Sequence, residues 1–231
     1  MALTGNSNLF YLSEVPPIPA SQVHYYPWVS DYNDYEGTYN ATAPSNPGGF
    51  QTDPAGLYTE NVVQIAHTGA NARISNIGQV DSAPGNLNAF SYKYQCYIQE
   101  EGAQRYYEVM DAFFDAFNTV YDKQGNDYFG VVLNPFGITS LLDKWHTVIV
   151  TYDPLLNGGE WNAYIGVDGV DANLQNIWTS SPSLNASSVY FHGGVYFGNN
   201  FSGYFRRTRV FTGVLTASEM QNIYDADTLP S

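Results

Sequence analysis

One cysteine, Cys96, stands in 231 residues, so no disulfide can form within the chain. A chain of this length can bury enough surface to fold without such a staple. Basic residues are scarce: 8 Lys and Arg face 22 Asp and Glu, a net charge of −14. Phosphate backbones need cations to displace their counterions, so nucleic acid is excluded as an expected partner. The same acidity gives no attraction to an anionic membrane surface. No apolar run approaches 18 residues, so no helical membrane span or membrane insertion is expected. The opening MALTGNSNLF lacks a basic n-region and an apolar h-region, so it does not read as a signal peptide.

Signatures of catalysis are missing as well. Glycoside hydrolysis needs a carboxylate pair about 5–9.5 Å apart, and no E-x-D-x-E run supplies one. Asp111 and Asp115 would share a strand face, but Phe113 between them reads as core. Glu100-Glu101-Gly102 reads as a solvated turn. There is no H-E-x-x-H, G-x-S-x-G or P-loop. The Gly-rich FHGGVYFGNNFSG has no Lys and opens no helix, so phosphate cradling is not expected. Cys96, in the alternating run YKYQCYI, reads as a buried structural thiol.

What the chain has is aromatic residues, 16% of the total and 20 of them Tyr. These suit half-buried strand faces. Strands are predicted in QVHYYPW, in NVVQIAHTGANARISNI as two short runs, in NAFSYKYQCYIQ, DYFGVVLN, WHTVIVTYD, WNAYIGVD, SSVYFHGG and GYFRRTRVF. Residues 104–117 fit helix or strand spacing, and the β surroundings favour strand. TASEMQNIYDA opens on a capping box, Thr216 with Glu219, and places Met220, Ile223 and Tyr224 on one face, so it reads as a helix. In the hairpin around WHTVIVTYD, Trp145 would cover one end of the core and His146 reads as a hydrogen-bonded strand-end residue rather than a general base. Asp168-Gly169 reads as a turn pair first and a metal ligand second. EVPPIPA closes a Pro-containing N-terminal arm, residues 1–20. One domain follows over residues 21–231, an all-β, two-sheet antiparallel jelly-roll sandwich with one short C-terminal helix.

The hairpin KWHTVIVTYD … WNAYIGVDG resembles the W-H-x-V-x-V-T-Y-D … V-D-G signature of laminin G-like, concanavalin A-like jelly rolls. VHYYPWVSDYNDYEGTYNAT is similar to that family's opening strand and D-x-x-G-x-x-N loop. NAFSYKYQCYI sits where the family has its F-T-I-S-x-W-V strand, and FSGYFRRTRVFTGVLTASEMQNIYD resembles its closing segment. The likeness covers residues 21–226. It implies a structural calcium, but Arg206 and Arg207 stand where acidic residues would help hold the ion, and guanidinium offers no oxygen ligand. The expectation is therefore no cofactor, with an arginine reaching the Asp31/Asp34 loop as counter-charge in calcium's place.

Glycan sites on such folds use exposed aromatic rings with Asn and Asp on rim loops. The candidates are Trp28, Tyr32, Tyr35, Trp161, Trp178, Tyr196, Asn199 and Asn200, each competing with a packing role. No catalytic or metal residue is assigned. The favoured function is a non-catalytic recognition or structural display module: a virion (phage) decoration or fibre protein at the virion surface, held by its arm to neighbouring structural subunits, with glycans as further partners. The alternatives are an extracellular, lectin-like carbohydrate-binding protein, and a glycan hydrolase or lyase on the same fold.

Overall fold

Strand β5 (Phe90–Ile98) alternates Phe90, Tyr92, Tyr94 and Cys96 with Ser91, Lys93, Gln95 and Tyr97, and residues 90–97 are all buried. A strand buried on both faces needs a layer on each. The computed structural model describes residues 16–43, 47–66, 73–74, 89–98, 108–111, 143–153, 155–156, 160–169, 174–180, 190–194 and 202–228. Within them β5 lies at the centre of a large antiparallel sheet.

The other strands are β1 (Gln22–Tyr26), β2 (Pro47–Thr52), β3 (Asn61–Ala66), β4 (Arg73–Ile74), β6 (Glu108–Asp111), β7 (Trp145–Asp153), β8 (Glu160–Val167), β9 (Gln175–Ser180), β10 (Tyr190–Gly194) and β11 (Ser202–Thr212). The large sheet runs β2-β3-β11-β5-β7-β8-β9, and β1 pairs with β11. Strands β4, β10 and β6 form a separate sheet of three. Among the described residues one helix, α1 (Ala217–Thr228), is present, and it follows β11. The protein is thus mostly β with a short C-terminal helix. The strand reading of residues 104–117 holds for Glu108–Asp111; the rest of that segment, and the strand predicted in DYFGVVLN, lie outside the described residues.

Register explains the division of chemistry between the faces. Tyr92 stands opposite Val150, Tyr94 opposite Val148 and Cys96 opposite His146. This face is aromatic and aliphatic, and burial pushes the Cys96 thiol pKa up, as expected of an inert structural thiol. The other face carries Lys93, Gln95, Thr147 and Ile149, and α1 covers it. The capping box forms as expected: Glu219 N–H donates to Thr216 Oγ1 at 3.2 Å and Thr216 N–H to Glu219 Oε2 at 2.8 Å. Met220 and Ile223 then pack with Ile149, Phe211 and Leu215. Gly166 lets the helix approach, since a Cβ there would lie 2.9 Å from the Tyr224 ring.

Trp145 is core, and it also pins a loop. Its indole N–H donates to Asp53 Oδ1 at 2.7 Å, while Asp53 accepts the backbone N–H groups of Ala55, Leu57 and Tyr58. Asp168 is buried and accepts from Tyr58 Oη, Gln95 Nε2 and Thr147 Oγ1 at 2.6–2.9 Å, which makes it a structural turn carboxylate. The end of the Pro-containing arm belongs to the domain: Ile18 packs against the cluster under α1.

Candidate functional site

Two constellations stand out, one buried and one exposed. The buried one lies beneath the C-terminal end of α1. An alternating strand would send Arg206 and Arg207 to opposite faces. In β11 the register slips between Arg206, opposite Gln95, and Arg209, opposite Lys93, so the strand holds one extra residue there. Arg207 takes a positive φ of 41° at this bulge. Arg206, Arg207 and Arg209 thereby all reach the helix side.

There they meet two carboxylates. Arg209 grips Asp227 in a bidentate fork at 2.9 and 2.7 Å, and Lys93 Nζ lies 2.6 Å from Asp227 Oδ2. Arg207 donates to both oxygens of Glu60 at 2.9 and 3.1 Å, and Arg206 also bonds Glu60. Arg206 donates to the Asp227 carbonyl at 3.0 Å, capping the helix end, and its guanidinium lies over the Tyr58 ring. Burial pulls the Lys93 pKa down to about 7 against the pull of Asp227. Burial alone would raise Asp227, yet Lys93 and Arg209 hold its carboxyl well below the usual range. This is a fastening for α1, with Lys93, Arg206, Arg209 and Asp227 buried and Glu60 and Arg207 at its part-exposed edge. It also corrects the calcium-replacement expectation: the arginines reach Glu60 and Asp227, and Asp34 has another partner.

That partner is His24. The loop from Trp28 to Thr42 winds around the Asp34 carboxylate. Oδ1 accepts the N–H groups of Tyr25, Glu36 and Gly37 at 3.0–3.2 Å. Oδ2 accepts Tyr39 N–H at 3.3 Å and lies 2.7 Å from His24 Nδ1. Burial would raise the Asp34 pKa, but the bonds from Gly37, His24, Tyr25 and Glu36 bring it below its ordinary value. Asn40 Oδ1 accepts Asp34 N–H at 3.1 Å, and Tyr35 N–H donates to the Tyr25 carbonyl at 2.8 Å. Gly37 is required by space: a Cβ there would stand 2.3 Å from Asp34 Oδ2 and 2.7 Å from His24 Nδ1.

The clamp fixes a loop that displays two rings. Tyr35 is 58% exposed and Tyr39 48% exposed. Tyr35 donates its hydroxyl to Asp31 Oδ2 at 3.3 Å. The Tyr39 and His24 rings meet edge to face, with centroids 5.5 Å apart, and the Tyr39 carbonyl accepts from Tyr26 Oη at 2.7 Å. Beneath them runs a packed column. Trp28, only 1% exposed, stacks on Tyr26 at 5.0 Å and donates to Thr208 Oγ1 at 2.7 Å. Tyr32 is half-buried between Trp28 and Phe50.

The glycan candidates therefore separate. Tyr35 is displayed, Tyr32 supports the loop from below, and Trp28 is in the core, turned inward by a positive φ of 59°. Trp161 and Trp178 stand in register opposite Tyr152 and Ala163, in β8 and β9. Tyr196, Asn199 and Asn200 lie outside the described residues. Tyr39 was not among the candidates. The D-x-x-G-x-x-N pattern spans Asp34, Gly37 and Asn40, and it could have revealed Tyr39 as its displayed interior position. Among the described residues no group of three or more His, Cys, Asp or Glu could hold a metal ion.

No protein-family model matches the sequence, and no curated protein matches it. Solved structures match at low identity. The binding domain of Paraclostridial mosquitocidal protein 1 superposes with TM-score 0.56 and 13% identity over 88% of this chain and 52% of its own. The receptor-binding domain of botulinum neurotoxin type G gives 0.55 and 12% over 90% and 52%. The serotype D ligand-binding domain in complex with N-acetylneuraminic acid gives 0.51 and 12% over 89% and 50%. The chain thus spans about half the length of these neighbours. The likeness establishes a β-rich, sandwich-like fold.

Proposed function

We propose that this protein is a non-catalytic carbohydrate-recognition module whose glycan platform is the Trp28–Thr42 loop, with Tyr35 and Tyr39 as stacking rings. The observation that carries this is the pairing of two exposed tyrosines with a loop clamped by Asp34. A rigid platform loses little conformational freedom on binding, and tyrosine offers an apolar face with a polar tip. Support also comes from the neighbours, which are binding domains, one of them solved with a sugar acid. The β-rich fold, the hairpin on Trp145 and the capped terminal helix support reading it, more finely, as a laminin G-like jelly roll.

A glycan array and titration calorimetry test the platform. Truncating an anchoring aromatic costs about 1–2 kcal/mol or more of binding, so Tyr35→Ala and Tyr39→Ala should each weaken binding about tenfold or more. Both rings are exposed, so melting should stay close to wild type. Full binding by the Tyr35→Ala/Tyr39→Ala double variant would overturn the assignment.

Two finer parts go with this reading. We take the module to be calcium-independent, because Arg206 and Arg207 engage Glu60 and Asp227 where acidic ligands would be needed. Adding calcium or chelator is expected to leave the melting temperature unchanged, and a fall in chelator would contradict this. We also take it to be displayed on an assembled particle such as a phage virion. What supports this is the Pro16-Pro17-Ile18-Pro19 run, whose composition keeps a segment extended at low entropic cost. Ile18 serves its own domain, so contact with a neighbouring subunit falls to residues 1–15. Light scattering should show assembly that deletion of residues 1–15 removes; a monomer with or without them would favour a lectin-like extracellular role.

A further inference from the structure

The platform loop is acidic along its own length. Between Trp28 and Thr42 the chain carries Asp31, Asp34 and Glu36 and neither Lys nor Arg. Glu36 is exposed, and Asp31 reaches the hydroxyl of Tyr35. Asp34 sits immediately behind them, its carboxylate held by backbone N–H groups and His24. Four of the chain's 8 cations, Lys93, Arg206, Arg207 and Arg209, are committed to Asp227 and Glu60 beneath α1.

This arrangement has a chemical preference. A neutral sugar brings hydroxyl donors, which carboxylates accept in charge-assisted bonds, and a C–H face that stacks on tyrosine. A sialylated or uronic glycan brings its own carboxylate toward Asp31 and Glu36. Asp31 lies 3.3 Å from the Tyr35 hydroxyl, well within a Debye length of a sugar on that ring, so salt screens its charge only in part.

We infer that the Tyr35/Tyr39 loop selects uncharged oligosaccharides and rejects acidic ones, so that its ligand class differs from that of the sialic acid-bound neighbour. The inference rests on the platform reading above and deepens it. Asp31 and Glu36 together should disfavour an acidic ligand about five- to tenfold near physiological salt.

The test is an array of neutral gluco-, manno- and galacto-oligosaccharides printed beside matched sialylated forms, followed by titration of the best pair. The neutral member should bind about five- to tenfold more tightly at 0.15 M salt. That ratio should fall toward one in 1 M salt and in the Asp31→Asn/Glu36→Gln variant, which keeps one acceptor oxygen on each side chain and removes the charge. Tighter binding of the sialylated member, or a ratio that neither salt nor the double variant moves, overturns the inference and leaves the platform standing. Binding of neither class overturns the platform and the inference together.

Discussion

Asp227→Asn is expected to cost about 3–5 kcal/mol of folding stability, the range for removing one partner from a buried ionic group. The cause is the charge count beneath α1. Among the described residues Lys93, Arg206, Arg207 and Arg209 form ion pairs with Glu60 and Asp227, and buried Asp168 acts on Lys93 from further off. Removing Asp227's charge leaves Lys93 and Arg209 without their shared counter-ion, and the amide keeps one acceptor oxygen where the Arg209 fork used two. Lys93→Met should be far milder, within about 1 kcal/mol, because an apolar side chain of similar size can replace a buried ion at little cost. Asp227 would keep its fork with Arg209. Urea denaturation of the two variants reads the asymmetry directly. Equal losses would mean that the Lys93–Asp227 pair, rather than the excess of cations, governs the cluster.

Gly37→Ala is expected to abolish glycan binding while the rest of the fold stays cooperative. The added Cβ would sit 2.3 Å from Asp34 Oδ2 and 3.0 Å from the Val23 carbonyl. The carboxylate cannot withdraw without releasing the N–H groups of Tyr25, Glu36, Gly37 and Tyr39 together with His24. Overpacking of this kind costs about 1–3 kcal/mol, and here it falls on the loop. Calorimetry should show at least a tenfold loss of affinity, and denaturation a single transition at modestly lower urea. An unaltered affinity would show that the loop tolerates a displaced Asp34 and that the clamp does not position the rings.

What the sequence made legible was local. Period-2 alternation in FSYKYQCYI and WHTVIVTYD, and the four-residue capping box at Thr216, each carry their signal within one element, and each forms as expected. The arginines were not legible. Whether Arg206 and Arg207 share a face depends on a bulge defined by the partner strand, and the sequence of β11 alone does not encode its register. Trp28 misleads for a related reason. It follows Pro27 in a turn-rich stretch that suggests exposure, yet a left-handed backbone turns it onto Tyr26 and Thr208. Tyr39 was hidden by its setting among the turn residues Gly37, Thr38 and Asn40, where only the motif around Asp34 gives it a place.

The central claim, a glycan platform on the Trp28–Thr42 loop, is tested most directly by a crystal structure with the tightest-binding oligosaccharide from the array. A sugar ring stacked on Tyr35 or Tyr39 with hydroxyls within hydrogen-bond distance of Asp31 or Glu36 is the predicted result. Sugar seated elsewhere on the protein, or found cleaved in the crystal, would contradict it.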